Sequence, residues 1–400
     1  MVRRTFDDIV LFARTGLNPR HNFKLGRGEN KYITIKNIHN NALAIDENTD
    51  VVDDDALTLI HKRSQIKKGD VLFCSIGRLG DMYIITDDPK DWDINESVFA
   101  FTLNTEIIRQ KYFYYLFKNH TTIEYLTKNS SGSTFKSIKM NQLKQMMFDV
   151  PSLAEQDLVV AVLDGVSKII SLRQQQLTEL ENLIKARFAE MFGDSSWKMV
   201  TADTIMHNMR NGLSPSNRGT HSAKVLTLSA ITQGIFNANS WKNGLFDIEP
   251  PKEKRITSQD FYMCRGNGNK DLVGIGVYSS KDYCDLVFPD TVIAASVDQQ
   301  QICLPYLYHA WKSPFIRKQI ECGARTTNGT YKIDQGIISN IEIALPPLPL
   351  QTQFAAFVEA TDKSRVAIQR DLCRQLLYSI NYFKSASNKL TYDGGAFYDS

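Results

Sequence analysis

Two long stretches of this 400-residue chain are versions of one another, and that repetition restricts its possible folds more than any other feature. The first runs from Pro151 to Phe192 and the second from Pro346 to Phe383, aligning Pro151 with Pro346, Gln156 with Gln351 and Lys168 with Lys363 at an offset of 195. In the first, Leu163, Val166, Ile170, Leu177, Leu180, Ile184 and Met191 alternate spacings of three and four, the seam of a helix that packs on another helix. Arg173 and Arg187 occupy two further seam positions, so the contact is interrupted by charge and favours one specific partner. The second stretch supplies that partner, with Thr361, Arg365 and Gln375 where its own seam should be apolar.

The repetition extends beyond the helices. Arg14-Thr15-Gly16-Leu17-Asn18-Pro19 returns as Arg210-Asn211-Gly212-Leu213-Ser214-Pro215, and Asp7 and Ile9 return as Asp203 and Ile205. Ile33-Thr34-Ile35 and Leu226-Thr227-Leu228 share the alternation of a strand. Asp70 to Cys74 matches Asp260 to Cys264, each a buried strand running into a glycine turn, Gly77-Arg78-Leu79-Gly80 or Gly266-Asn267-Gly268-Asn269. Ser133-Thr134-Phe135-Lys136 pairs with Gly329-Thr330-Tyr331-Lys332 just before each Pro-marked helix. A period near 195 residues is too long for a solenoid, so the chain reads as a tandem duplication of one domain plus one helix, with a pseudo-two-fold.

Between these landmarks, 107–126 and 304–320 predict short helical stretches. Their aromatics Phe113, Tyr114, Phe117, Tyr308, Trp311 and Phe315 recur at helical spacing, which assigns them to the core rather than to base stacking. Gly193 reads as a left-handed helix cap. Residues 386–400 have no counterpart in the first half and read as a peripheral tail.

The usual signatures of catalysis are missing. There is no GxxxxGK[ST], HExxH or GxSxG, and the pairs around Gly266 and Gly274 do not complete GxGxxG before a helix. The six cysteines and seven histidines are scattered without metal-ligand spacing, so no metal site is expected and the cysteines read as reduced and structural. No apolar run approaches a membrane span and the N-terminus lacks a secretory pattern, so no membrane association and a cytoplasmic location are expected. With a formal net charge of only +3, a nucleic-acid surface must be local.

Residues suited to DNA do recur in loop positions. The candidates are Lys62, Arg63, Arg78, Ser133, Thr134 and Lys136 in the first copy, and Arg265, Asn267, Lys270, Arg325, Thr326, Asn328, Thr330 and Lys332 in the second. Arginine and lysine bond guanine edges or phosphates, asparagine bonds adenine, and the hydroxyls hold backbone oxygens.

The Pro-led helix entries VPSLAEQ and LPPLPLQ, the loops GSTFKSI and NGTYKID, and the openings RTGLNP and RNGLSP together resemble the specificity subunit of Type I restriction-modification systems, over residues 3 to 383. The resemblance implies an α+β chain of two homologous target-recognition domains in tandem, residues 1–150 and 194–345. Spacer helices at 151–193 and 346–385 would form an antiparallel coiled coil. Each domain would read one half of a bipartite, asymmetric double-stranded DNA target, with the helices docking two methyltransferase subunits. The chain itself would be non-catalytic and bind no cofactor. S-adenosylmethionine would belong to the methyltransferase, and ATP and Mg to restriction/translocase subunits. A helix of about 34 residues, 158–191, would span roughly 50 Å and act as a ruler. Two other classes remain at this point: a coiled-coil scaffold without DNA readout, and a stand-alone methyltransferase or nuclease with unrecognised motifs.

Overall fold

The computed structural model describes residues 1–132, 135–193, 196–216, 218–327 and 329–388. It is a mixture of strands and helices dominated by two long helices, and it divides into two units. Among the described residues, one unit holds 1–172 with 372–388, and the other holds 173–371.

In the first unit a four-stranded antiparallel sheet has the order Val10–Thr15, Val98–Leu103, Val71–Cys74, Met82–Ile84. Val71–Cys74 is buried at every position and reads as an unbroken apolar run. Phe6, Phe73, Phe101, Phe113 and Phe117 fill the core, Phe113 and Phe117 at a ring separation of 4.6 Å. Each such side chain contributes about 1.5–3 kcal/mol of burial. A ribbon pairs Val2–Thr5 with Met147–Val150, and Asn30–Ile33 runs parallel to Trp92–Ile94.

The second unit has the same plan. Its sheet order is Met206–Asn211, Val292–Val297, Asp260–Cys264, Gly276–Tyr278, again antiparallel throughout. A ribbon joins Met199–Thr201 to Glu342–Ala344, and His221–Leu226 runs parallel to Tyr283–Val287. Gly16 and Gly212 occupy matching close approaches, where a Cβ would fall 1.7 Å from the Ile94 carbonyl oxygen or 2.1 Å from that of Phe288. Only glycine fits there.

Two side-chain clusters also repeat. Arg14 Nη2 donates to Asp70 Oδ2 at 2.7 Å while Thr102 Oγ1 donates to Asp70 Oδ1 at 2.6 Å. In the second unit Arg210 Nη2 donates to Asp260 Oδ2 at 2.6 Å, with Ser296 Oγ donating to Asp260 Oδ1 at 2.9 Å. Each cluster ties three neighbouring strands together through a buried aspartate. Gln156, fully buried, accepts from Arg109 N at 2.8 Å and donates to the carbonyls of Ile107 and Pro151. Gln351, likewise buried, accepts from Cys303 N at 2.9 Å and donates to those of Gln301 and Pro346. Arg109 and Cys303 are N-caps of Gln110–Lys118 and Leu304–Trp311, so each glutamine fixes a long helix onto the start of a short one.

The long helices are Leu153–Phe192 and Leu348–Asn388. In the first, Leu163 and Ile184 are buried and Val166, Ile170, Leu177, Leu180 and Met191 half-buried, whereas most intervening positions are exposed. Arg173 and Arg187 share that stripe, as do Thr361, Arg365 and Gln375 on the second helix. Within the second unit Arg173 meets Asp371 at 3.6 Å, Arg187 lies over the Phe357 ring and Phe192 packs on Phe354, so residue numbers rise along one helix as they fall along the other.

Several local expectations are corrected. The strand expected through Ile33-Thr34-Ile35 ends at Ile33, because Asn37 Oδ1 takes the Thr34 N–H at 2.9 Å. Its counterpart ends at Leu226, where Thr227 N turns to the Ser240 carbonyl. Each short helical stretch is two helices, Gln110–Lys118 with His120–Asn129 and Leu304–Trp311 with Pro314–Gly323; Ser313 caps the last by accepting from Ile316 N. Phe315 is exposed rather than core. Gly193 does not take the left-handed conformation; its N–H continues the helical pattern to the Ala189 carbonyl.

Candidate nucleic-acid interface

Apart from Lys62 and Arg63, the described residues with DNA-binding chemistry collect where two loops meet in each unit. In the first, Gly77 N donates to the Lys136 carbonyl at 3.0 Å and Ile138 N to that of Ser75 at 2.9 Å, which clips the 75–81 turn to the 131–138 loop. Gly77 and Gly80 hold left-handed φ of 69° and 84°, permitting the tight turn that presents Arg78. Arg78 and Lys136 are both exposed, as is Phe135 beside them. Ser133 and Thr134 lie outside the described residues.

In the second unit Ile333 N donates to the Arg265 carbonyl at 2.9 Å, the equivalent clip. The glycine segment there is not the expected turn: Gly266–Asn267 forms a strand on Thr330–Lys332, which continues to Arg325–Thr327. That three-stranded sheet brings Arg265, Asn267, Arg325, Thr326, Thr330 and Lys332 together, with Lys270 just beyond its first strand. Arg325 pairs across the hairpin with Lys332, which puts both side chains on one face. Asn267 Oδ1 is engaged by Asn269 N, and Arg265 Nη1 reaches the Asp290 carbonyl, so these two shape the site as well as line it. Asn328 lies outside the described residues.

Lys62 and Arg63 are not in a turn. They close the helix Asp54–Ser64, whose N-cap Asp53 accepts from Ala56 N and whose buried Ala56 and Ile60 pack with Tyr32 and Val52. The spacing of Ala56 and Ile60 behind a capping aspartate was the signal that could have found it. Sequence reasoning also passed over Lys118, which enters the first loop site from a helix and bonds Asp81 Oδ1 at 2.8 Å while His39 holds Oδ2 at 2.9 Å. Those two partners hold the Asp81 carboxyl below its usual range against the opposing effect of burial.

Nucleophilic chemistry is disfavoured at the cysteines that precede each site. Burial pushes the Cys74 thiol up to about 12 and the Cys264 thiol up to about 11, so both are protonated at neutral pH. Among the described residues no group of His, Cys, Asp and Glu could hold a metal ion, and no helix is long and apolar enough to cross a membrane. The arrangement suits a polyanion approaching loops of arginine, lysine and hydroxyl side chains.

Comparison with known proteins agrees with this geometry. The family of the Type I restriction modification DNA specificity domain matches residues 2–182. The chain is 23% identical over 266 residues to the type I restriction enzyme EcoKI specificity subunit of Escherichia coli K12, covering 60% of this chain and 57% of that protein. It therefore spans little more than half the length of that relative. An 84-residue stretch is 37% identical to the MjaIX specificity subunit of Methanocaldococcus jannaschii, 21% of this chain and 19% of that one. In fold the chain is similar to a type I restriction-modification S subunit from M. genitalium, with TM-score 0.52 and 14% identity over 94% of this chain and 93% of the other. A chain from a structure of type I R-M complex assembly and conformational transition gives TM-score 0.54 and 15% identity over 95% and 97%. Residues 2–182 thus match the family of the Type I restriction modification DNA specificity domain.

Proposed function

We propose that this chain is the DNA-specificity subunit of a type I restriction-modification complex, with two homologous target-recognition domains in tandem, residues 1–150 and 194–345. The observation that carries the reading is a contrast inside each unit. Sheet order, the Arg–Asp–hydroxyl cluster and the helix-fixing glutamine are repeated, while the loops clipped together at the candidate interface differ in both sequence and form. A constant scaffold with divergent loops is what two readers of different half-sites need. The target is then bipartite and asymmetric.

The spacer helices, 151–193 and 346–385, pair antiparallel as a coiled coil. The heptad stripe and the falling order of contacts from Arg173–Asp371 to Phe192–Phe354 support this. At about 1.5 Å per residue the 40-residue first helix is about 60 Å long, enough to set a spacer between half-sites. The same helices dock two methyltransferase subunits, with restriction/translocase subunits joining for cleavage, all in the cytoplasm. Lysine and arginine of the loop sites hold phosphates and fix register, while a subset of the same side chains reads base edges. Methyl transfer from S-adenosylmethionine belongs to the partner, which extrudes its adenine from the duplex.

The test is to map modified adenines in cells that express this chain with its methyltransferase. A bipartite motif with two different halves and a fixed spacer is expected. Methylation by the purified chain alone, or a contiguous motif, would overturn the reading.

A further inference from the structure

The two Thr-aromatic-Lys loops occupy equivalent places, but their aromatics meet different fates. Tyr331 sits in the strand Thr330–Lys332, pairs with Asn267 and Thr326, and packs against the core of the second unit. Phe135 belongs to no strand and is 66% exposed. On its ring side lies Gly77, where a Cβ would fall 3.9 Å from Phe135 Cδ1, while Gly132 approaches only its backbone. A phenylalanine held in water on a loop contributes nothing to the core, so its fold-stabilising role is small.

Phe135 also forms part of the rim of a cleft of about 430 Å³. Leu79, Ile123 and Leu126 give it an apolar lining, and Arg78, Lys118 and Lys136 give it cations. Lys118 is engaged by Asp81, and His39 takes the second oxygen of that carboxylate. Arg78 and Lys136 have no ion-pair partner among the described residues. The cleft therefore combines an aromatic ring, an apolar lining and two uncompensated positive charges. That combination matches one nucleotide: a flat base that stacks on a ring, with a phosphate one sugar away. At that volume the cleft has room for a base.

We propose that this cleft takes a single unstacked nucleotide of the first half-site, its base stacked on Phe135 and its phosphate held by Arg78 and Lys136. The first unit then reads its half-site partly through the ease of unstacking one step, as pyrimidine–purine steps allow. The second unit, with Tyr331 built into its sheet, lacks this device. The inference rests on the specificity-subunit reading and adds a site to it.

The experiment uses the full chain in complex with its methyltransferase, on duplexes carrying the mapped motif. A fluorescent analogue of adenine or cytosine replaces one base at a time in the first half-site. With the wild-type chain, fluorescence at one position should rise several-fold on binding. Phe135→Ala should abolish the rise and weaken binding about tenfold, in line with the usual cost of losing base–aromatic stacking. Phe135→Trp should restore both. Because Phe135 is exposed, the thermal melting of all three proteins should coincide, which separates stacking from misfolding. A complex that binds its bipartite site while every first-half analogue stays silent, or in which Phe135→Ala binds like wild type, overturns the cleft alone. A complex that binds no bipartite site overturns the specificity-subunit reading and the cleft with it.

Discussion

Gln351 shows how a residue can be conspicuous in a repeat yet mute about its role. Its match to Gln156 is visible in the sequence, but its three bonding partners lie five to fifty positions away. Gln351→Leu takes the side-chain partner from the half-buried Cys303 N–H, the buried Pro346 carbonyl and the Gln301 carbonyl, and should cost about 2 kcal/mol of stability in urea unfolding of the full chain. The arginines of RTGLNP and RNGLSP were equally legible as a motif, but they clamp Asp70 and Asp260 rather than mark a binding loop. Partners 56 and 50 residues distant leave no local trace. His309 carries a pH dependence. Burial among Phe188, Tyr308 and Phe354, aided by Lys312 and Arg365, pushes its imidazole down to about 4. The unfolded chain, with an ordinary value near 6.5, takes up the proton first. The contribution of neutral His309 is therefore complete above pH 6.5 and lost as pH falls from there toward 4, by at most about 1.4 kcal/mol per pH unit. Comparing wild type with His309→Phe by thermal unfolding between pH 7 and 4.5 checks this: the variant should show the shallower decline.

Among the elements, the long helices were the most readable, because a spacing of three and four is local and repeats over many turns. The shorter ones were less so. Asn119 and the Lys312-Ser313-Pro314 segment break what looks like one apolar-periodic stretch into two helices each, and the exposure of Phe315 follows from the turn gained there. Lys62 and Arg63 looked like a loop because the polar run HKRSQ masked the capped helix before it. Conversely, Gly266–Asn267 looked like a turn and is a strand, since its partner Thr330–Lys332 comes more than sixty residues later. If the helices set the spacer, inserting one matched heptad into each should lengthen it by about three base pairs, from about 1.5 Å per residue and 3.4 Å per pair. Motif mapping of the insertion strain reads the result, and an unchanged spacer removes the ruler.

For the molecule as a whole, the near-195-residue period was the strongest signal, and the matching sheet orders of the two units follow the same repeat. Replacing residues 1–150 with a different recognition domain should change one half of the methylated motif and leave the other half intact, as sequencing of modified DNA would show. Which loops meet at the candidate interface was only half legible, because pairing between the 75–81 turn and residues 136–138, or between 266–267 and 330–332, is set by the folded topology. The partition of the helices has a consequence for biosynthesis. The second unit is one uninterrupted run, residues 173–371, whereas the first is assembled from the beginning of the chain and residues 372–388. On the ribosome the core of the first unit, built from residues before 161, can close early, but the stretch of the first long helix up to Leu172 has its C-terminal neighbour only once residues beyond 371 emerge. A chain stopped after Asp371 should therefore be cut first around Leu163, on the long helix left without that neighbour, so part of the strut made early is the last to become resistant to digestion.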